Sequence, residues 1–392
     1  MATDFTVDRN TVKYVLNSSG DIASVAIDTP AIEYNTDGTY KGLLVEPAST
    51  NLCLQSEDIN TTWSPTRATP TQSTEETPDG DTTNKYIKLV DDGSTGTGTV
   101  WVEQSITVAA STKYTASVFL KADQLSFALL QAAVYDGGTS GQQYFNLSTG
   151  ALGTATNLDD SKIEAYPNGW YRCSITWTQG ATDTAFTFRI WVAEADNDNV
   201  VDLDGTSSIF VWGAQVEASP IATSYIPTTT ASVTRNKDDI TLTGASDLIG
   251  QSEGTIYVEV DWRLATGTFQ WLLSANDGTE NNRFAIFDNN VSQLQMYAEA
   301  DDDVKTNQGV SSTGFSGIQK IAFAYADADF ELYRNGSSVS SDTVGSLAAL
   351  GTLTDIDLGQ NVLAGVQANM WIRAVALYKT RLTNDQLADL TS

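Results

Sequence analysis

Five residues carry an aromatic ring or a guanidinium group and alternate with large apolar residues, so that they lie on the opposite face of their strands. They are Trp101, Tyr135, Tyr144, Arg189 and Trp191. In a β-strand, residues two apart share a face, so the face rich in large apolar side chains is expected to be the core. A flat ring flanked by amide and charged groups can stack on the C–H face of a pyranose and bond its hydroxyls. These residues are therefore the candidate glycan-binding platform.

Short alternations along the chain set the orientation of each candidate. Between Val100 and Ile106 the apolar residues Val100, Val102 and Ile106 share one face, which points Trp101 outward together with Glu103. Between positions 142 and 147 the same alternation points the side chain of Tyr144 outward.

Two more candidates come from the same reasoning applied to other runs. Every second residue from Phe186 to Val192 is apolar, which leaves Arg189 and Trp191 on the opposite face. Tyr135 is assigned to the face that carries Gln131. The alternative is that a second sheet, the N-terminal residues or another subunit covers these rings, because aromatic residues in β-sandwiches more often pack than bind ligands.

The elements that must position this platform are short strands separated by turn-forming residues. Between about residues 50 and 235, β-rich runs alternate with Gly, Asp, Thr and Ser clusters, a pattern typical of an antiparallel sandwich. The clearest runs are Lys113 to Lys121, Ser126 to Tyr135, Trp170 to Thr178, Ala185 to Ala193 and Ile209 to Val216.

The C-terminal third of the chain shows three different signals. Residues 254 to 263 alternate as a half-buried strand, and the Asn335-Gly336 pair between two strand-like runs predicts a tight hairpin. The run from Leu382 to Leu390 predicts a short helix, because Thr383 can cap it while Gln386 returns the hydrogen bond. The fold class is therefore all-β with one short C-terminal helix.

The chain of 392 residues is long enough for two or three domains. We place the main boundary in the hydroxyl-rich segment 227–237, which has few large apolar residues. Residues 1–48 contain too little apolar surface to fold alone, so we interpret them as an arm that docks onto another protein. The prediction is an arm at 1–48, a sandwich at 49–236 and a second sandwich at 237–392.

Composition excludes several classes of function. The 21 Lys and Arg residues against 49 Asp and Glu residues give a formal charge of −28, which repels phosphate backbones, so no nucleic-acid partner is expected. No stretch reaches the roughly 18 apolar residues of a membrane span, and no secretion signal opens the sequence, so we expect cytoplasmic folding without membrane insertion. Cys53 and Cys173 are expected to be unpaired core thiols.

Four ordered motifs resemble a family of phage tail and virion proteins. The first, Gly42-Leu-Leu-Val-Glu-Pro-Ala-Ser-Thr-Asn-Leu52, resembles an opening of the form GLLVEPARTNLL and departs from it at Ser49, where Arg is usual. The others are Pro78-Asp-Gly80, Pro167-Asn-Gly-Trp-Tyr-Arg172, and Trp212 to Glu217 followed by Ser224 to Thr230 and Val233-Thr-Arg235. The family resemblance implies that residues 49–236 form a jelly roll of the carbohydrate-binding-module type.

The second sandwich resembles laminin-G and concanavalin-A-like domains, through Leu332-Tyr-Arg-Asn-Gly336 and the ending Ala376 to Leu387. Together the resemblances imply a virion protein, assembled in the host cytoplasm, whose arm contacts other phage structural proteins. They also imply host-glycan binding by a homo-oligomer, and tail fibres suggest a trimer by analogy alone. We therefore expect a non-enzymatic tail fibre or adhesin. The alternatives are a structural decoration protein of the capsid or tail, and a polysaccharide depolymerase.

Catalytic and metal-binding signals are weaker. The sequence has no histidine, which removes the commonest general base. Laminarinase-type hydrolases, which share the concanavalin-like sandwich, carry three carboxylates on one strand. The nearest match here, Glu259-Val-Asp261, lacks the third, although a carboxylate pair assembled from distant loops stays open. No cofactor is predicted apart from calcium, for which the acidic-loop candidates are Asp277, Asp288, Asp301 and Asp303.

Overall fold

The predicted all-β class is confirmed. The computed structural model describes residues 5–263, 269–362 and 367–392, and in these residues the helical elements are a single 3-10 turn at Pro167–Gly169 and a C-terminal α-helix. Within the described residues no helix has the length and apolar character needed to cross a bilayer.

The first 51 residues contain six short strands: β1 (Thr6–Asp8), β2 (Lys13–Leu16), β3 (Ile22–Val25), β4 (Ile32–Tyr34), β5 (Tyr40–Val45) and β6 (Ser49–Asn51). The next strands are β7 (Ser64–Thr66), β8 (Ala68–Ser73), β9 (Lys85–Asp91), β10 (Thr97–Gly98), β11 (Val100–Thr107), β12 (Lys113–Ala122), β13 (Phe127–Asp136), β14 (Thr139–Asn146), β15 (Ala151–Thr156), β16 (Asp160–Ala165), β17 (Trp170–Thr178), β18 (Ala185–Ala193), β19 (Val201–Asp202) and β20 (Ser208–Glu217).

The remaining strands are β21 (Val233–Arg235), β22 (Asp239–Leu242), β23 (Gly254–Trp262), β24 (Gln270–Asn276), β25 (Arg283–Asp288), β26 (Gln293–Ala300), β27 (Asp303–Ser311), β28 (Gly317–Ala326), β29 (Asp329–Arg334), β30 (Ser337–Asp342), β31 (Asp355–Leu358) and β32 (Met370–Tyr378). Helix α1 (Asn384–Thr391) follows, and Thr383 and Gln386 form the predicted capping box. Strands β29 and β30 flank Asn335 and Gly336, both of which have a positive φ, as the hairpin prediction requires.

The first sandwich consists of two six-stranded antiparallel sheets. Sheet I has the order β15-β14-β13-β18-β11-β7, and sheet II has the order β16-β17-β12-β20-β9-β8. Side chains such as Val102, Phe145, Phe188, Val118 and Val211 fill the core between them. Strands β6 and β21 pair with each other, so the chain enters and leaves the first sandwich at the same place.

The two cysteines lie in this first core. Cys53 and Cys173 are both fully buried and neither forms a disulfide, which confirms the prediction of unpaired core thiols. Burial raises the pKa of both thiols, so both remain protonated at neutral pH.

The second sandwich consists of two seven-stranded sheets that include strands from both ends of the chain. Sheet III has the order β1-β22-β31-β24-β25-β26-β27, and sheet IV has the order β30-β29-β28-β23-β32-β5-β4. Strand β1 pairs with β22, and β5 pairs with β32. Three strands of the first 45 residues therefore complete the second sandwich, although they precede it by some 200 residues or more.

The N-terminal segment thus docks on its own chain, whereas the sequence led us to expect docking on another protein. Its strands are too short and too poor in apolar residues to form a sheet alone, and they gain ladder partners at the edges of sheets III and IV. The β2–β3 hairpin lies between the sandwiches. Leu16 packs with Phe119 and Trp212 of sheet II, and its neighbour Val15 packs with Trp371 of sheet IV.

A buried carboxylate joins these parts. Glu46, which directly follows β5, has no exposed side-chain surface and forms ion pairs with Arg235, with Lys13 at 3.1 Å and with Arg263 at 2.6 Å. Burial alone would raise the pKa of Glu46, but the charges of Arg235, Lys13 and Arg263 outweigh it and hold the pKa well below the ordinary glutamate value. Arg235 lies in β21, Lys13 lies in the β2–β3 hairpin, and Arg263 directly follows β23.

A second carboxylate extends the same cluster. Asp238 pairs with Arg9 at 2.9 Å and with Lys13 at 2.6 Å, and it accepts the backbone N–H of Glu46 at 2.9 Å. The side chains of Arg9, Lys13 and Asp238 are 1% exposed or less. We call Arg9, Lys13, Glu46, Arg235, Asp238 and Arg263 the buried ionic cluster.

Replacing Glu46 by glutamine should strongly destabilise the protein. The substitution keeps the shape of the side chain and leaves three cations without their shared counter-charge, which we expect to lower the free energy of unfolding by about 3 to 5 kcal/mol. Urea denaturation measures the loss. Glu194→Gln is the matched control because Glu194 is exposed, and it should be neutral. Equal stabilities of the two variants would contradict this role of Glu46.

The same carboxylate predicts a defined pH dependence. Because the pKa of Glu46 is depressed in the folded state, its contribution is complete above the unfolded glutamate pKa of about 4.3 and is lost as the pH falls through the lower folded value. Wild-type stability should therefore fall steeply with acidification below that pH, and Glu46→Gln should show a shallower slope. Urea unfolding across a pH series tests this, and parallel slopes would refute it.

Candidate functional site

Three of the predicted platform residues lie in one row across the outer face of sheet I. Trp101 of β11 is opposite Trp191 of β18, which is opposite Leu129 of β13, and Leu129 is opposite Tyr144 of β14. The alternation that places Val100 in the core places this row on the other side of the sheet. We call Trp101, Trp191, Leu129 and Tyr144 the aromatic row.

A second row, of polar side chains, runs parallel to the first. Glu103, Arg189, Gln131 and Gln142 face each other in the same order of strands, and we call them the polar row. Arg189 donates from Nε to Glu103 at 2.6 Å and from Nη1 to Gln131 at 3.2 Å. Gln131 donates to Gln142 at 3.1 Å, so hydrogen bonds fix the whole row.

The two rows are joined at Trp101. Its indole N–H donates to Glu103 at 3.0 Å, and the Arg189 guanidinium lies 5.6 Å from the centroid of its ring. The Trp101 ring stacks on Trp191 with 4.2 Å between centroids and 29° between planes. These contacts hold the indole of Trp101 in one orientation beside charged groups.

The predicted residues differ in solvent exposure: some are accessible and others are buried. Trp101 is half-buried, and the side chains of Arg189 and Glu103 are 28% and 29% exposed. Trp191 is only 8% exposed and Tyr144 only 3%. The surface that a ligand can reach is therefore Trp101 with the polar row, and Trp191 and Tyr144 lie beneath it as packing.

The edge of sheet I explains why Tyr144 is covered. Gly153 of β15 lies so close to Tyr144 that a Cβ there would be 3.0 Å from the tyrosine Cβ. Asp196 accepts the backbone N–H of Thr154 at 2.7 Å and holds the loop from β18 against β15. The absence of a side chain at Gly153 allows this close approach.

The assignment of Tyr135 to the platform is wrong. Val134 has a φ of +59°, and the pairing register of β13 breaks between Ala132 and Asp136. Such a bulge inserts one residue and reverses the alternation beyond it. The Tyr135 ring therefore packs 6.4 Å from the core ring of Trp177, and its hydroxyl donates to the carbonyl of Asn157 at 2.9 Å.

Alternation also placed members of the polar row on the outward face, beside the aromatic candidates. Glu103 and Gln142 lie two residues from Trp101 and Tyr144, so the sequence places them on the same face. Their bonding across four strands depends on the register, which a single strand does not reveal.

The candidate calcium ligands do not assemble. Within the described residues no three carboxylates or thiolates converge on one point. Asp277 is bound by Asn282 at 2.8 Å, and Asp303 pairs with Lys305 at 2.6 Å. Asp288 is buried, which raises its pKa to about 6, and it accepts from Ser312 at 2.5 Å. The backbone N–H of Asp301 binds Asn282, so this turn is held by protein groups.

The carboxylate motif of β23 is also occupied by protein partners. Glu259 accepts from Arg373 Nε at 2.8 Å and from the hydroxyl of Tyr257 at 3.3 Å. This geometry fits a structural ion pair between β23 and β32.

Comparisons with known proteins reach only parts of the chain. No protein-family model and no curated protein sequence matches it. Among solved structures, the IT-sialidase CBM40 of Ruminococcus gnavus is 18% identical, with a TM-score of 0.32 over 38% of this chain and 86% of that chain. A botulinum neurotoxin type C structure, whose title describes cell entry dependent on two ganglioside molecules, is 13% identical, with a TM-score of 0.33 over 40% of each chain. No functional conclusion follows from likeness at this level.

Replacing Trp191 should destabilise the protein more than replacing Trp101. Trp191→Ala removes a buried ring and should cost about 3 kcal/mol, whereas Trp101→Ala removes a half-buried ring and should cost about 1 kcal/mol. Urea denaturation of both variants measures the difference. Equal losses would mean that Trp101 is as enclosed as Trp191, and they would remove it from the accessible surface.

Proposed function

We propose that this chain is a non-enzymatic carbohydrate-binding protein whose binding surface is Trp101 together with the polar row. The observation that carries the proposal is a half-buried indole ring fixed beside a hydrogen-bonded row of carboxylate, guanidinium and amide groups. This combination matches the two needs of a pyranose, an apolar face to stack on and planar polar groups for its hydroxyls.

The polar row supplies both kinds of hydrogen-bonding group that hydroxyls require. Arg189 has further guanidinium N–H donors, and Glu103 has a second carboxylate oxygen. The amide oxygen of Gln142 accepts from Gln131, which leaves its amide nitrogen to donate to a ligand. Because these side chains already hold one another, little conformational entropy is lost when a sugar binds. The indole of Trp101 is held in the same way by Trp191.

The finer form of the proposal is a bacteriophage tail fibre or adhesin that binds host-surface glycans. The virion assignment is supported by the resemblance of the four sequence motifs, and a homo-oligomer such as a trimer would turn weak single-site contacts into avidity. Since β1, β4 and β5 are used within the chain, contacts with other particle proteins would involve surfaces other than the paired edges of these strands.

Removing the half-buried ring of Trp101 or the neighbouring cation of Arg189 should weaken glycan binding. On a glycan array, Trp101→Ala and Arg189→Met should each lower affinity for the wild type's ligand about tenfold, because each loses one element of the surface. Trp101→Tyr should retain part of the binding. Tyr135→Phe is the control on the opposite side of the sheet and should bind as the wild type does.

Two outcomes would overturn the proposal. The first concerns the binding surface: undiminished glycan binding by the folded Trp101→Ala variant would remove Trp101 from it, and absence of glycan binding by the wild type would leave a structural decoration role. The second is the release of reducing ends from a bound polysaccharide, which would indicate a depolymerase. The virion assignment is tested separately by labelling intact particles with antibodies to the chain, and unlabelled particles would contradict it.

A further inference from the structure

A cleft lies between the two sandwiches on the side of sheet II. It has a volume of about 190 Å³, and its main lining residues are Lys162, Glu164 and Ser174 from the first sandwich and Trp262, Arg263 and Trp371 from the second. The cleft exists because the β2–β3 hairpin and the buried ionic cluster hold the two sandwiches in contact.

A small inner recess adjoins the cleft and shares Glu164, Arg263 and Trp371 with it. The recess has a volume of about 30 Å³ and is also lined by Arg172 and Lys41. That volume holds about one water-sized group. The two spaces together offer a narrow pocket behind a wider one.

Three cations that line this space, Arg172, Lys41 and Lys162, form no salt bridge with the described residues, whereas the fourth, Arg263, pairs with Glu46. Arg172 is 5% exposed, and its one hydrogen bond in the described chain runs from Nη2 to the hydroxyl of Ser117 at 3.1 Å. Among the described residues its Nε has no hydrogen-bond partner and no carboxylate forms an ion pair with it, and its guanidinium lies 5.4 Å from the centroid of the Phe119 ring. A buried cation without an anion is costly, so this position favours a bound anion.

Two lysines add to the positive charge. Lys162 is exposed and forms no salt bridge with the described residues, and Lys41 places its Nζ 3.7 Å from the centroid of the Trp371 ring. Glu33 and Glu164 also line this space, and Glu33 accepts the indole N–H of Trp371 at 2.6 Å, so the three cations without a salt bridge exceed the two carboxylates by one. In a chain with a net charge of −28, a local excess of cations is a specific feature.

We propose that this cleft binds a monosaccharide-sized, hydroxyl-bearing carboxylate, such as an acidic sugar, at a site separate from Trp101. One oxygen of the carboxylate would enter the recess toward Arg172, since a guanidinium binds carboxylate oxygens well, with Lys41 and Lys162 adding charge. The ring would occupy the wider cleft, where Ser174 and Glu164 can bond its hydroxyls. This proposal goes beyond the platform and does not depend on it.

Tryptophan fluorescence provides a direct readout because Trp262 and Trp371 line the cleft. Full-length protein is titrated with glucuronate and, separately, with glucose at constant ionic strength. We expect saturable quenching by glucuronate and at least about tenfold weaker binding of glucose, because glucose lacks the charge.

Substitutions of the lining residues test whether glucuronate binds in the cleft. Lys162→Met, which removes an exposed side chain without a salt bridge, should weaken glucuronate binding about fivefold to tenfold, and Arg172→Met should weaken it further. Lys113→Met is the control for net charge, because Lys113 is an exposed lysine on another part of sheet II, where it pairs with Asp159 at 2.9 Å. Trp101→Ala should bind glucuronate as the wild type does, which keeps this test independent of the platform.

Three results would overturn the inference: equal binding of glucose and glucuronate, equal effects of Lys162→Met and Lys113→Met, or displacement of glucuronate by sulfate at equal concentration. The last would indicate general attraction of anions. Since Lys162 forms no salt bridge in the described chain, its variant keeps the test valid even if Arg172→Met fails to fold.

Discussion

The buried carboxylate of Glu46 is the contact on which the arrangement of this chain depends. Its charge has no access to water, so it must be neutralised by protein groups. Arg235 ends the first sandwich, Arg263 follows a strand of the second, and Lys13 begins the hairpin between them. Satisfying one carboxylate therefore brings three distant segments to one point. The interface cleft and the packing of Trp371 follow from that placement.

Much of the strand pattern could be predicted because the alternation of apolar residues is local. The predicted runs Trp170 to Thr178 and Ala185 to Ala193 coincide with β17 and β18, and the Asn335-Gly336 hairpin and the Thr383 cap are present as expected. The membership of the sheets could not be predicted in the same way. Nothing near β1 or β5 specifies that their partners are β22 and β32, because that pairing depends on contacts far apart in sequence.

The candidate site shows the same division between local and non-local information. Alternation correctly placed Trp101, Tyr144, Arg189 and Trp191 on one face of sheet I. It failed at Tyr135, because the positive φ of Val134 is not encoded by a glycine or asparagine that would signal a bulge. Alternation also gives a face without saying what covers it, so the burial of Tyr144 required the positions of neighbouring strands.

The buried ionic cluster was missed although it had a signal. Glu46 follows the apolar run Leu43-Leu44-Val45, where a charged residue is expected to be either exposed or paired. Its partner Arg235 lies in the segment 227–237, in which the sequence led us to place the domain boundary. A charge at the end of a buried strand is thus a reason to look for a distant opposite charge.

The use of the first 45 residues in the second sandwich has a consequence for biosynthesis. A ribosome releases β1 and β5 long before their partners β22 and β32 exist, so β1 has no ladder partner and β5 can pair only with β4 while the first sandwich is being made. The first sandwich can close on its own as soon as β21 has emerged, since its sheets use no strand from the other unit. Strand β5 must then wait for β32, which is made after the whole first sandwich and most of the second.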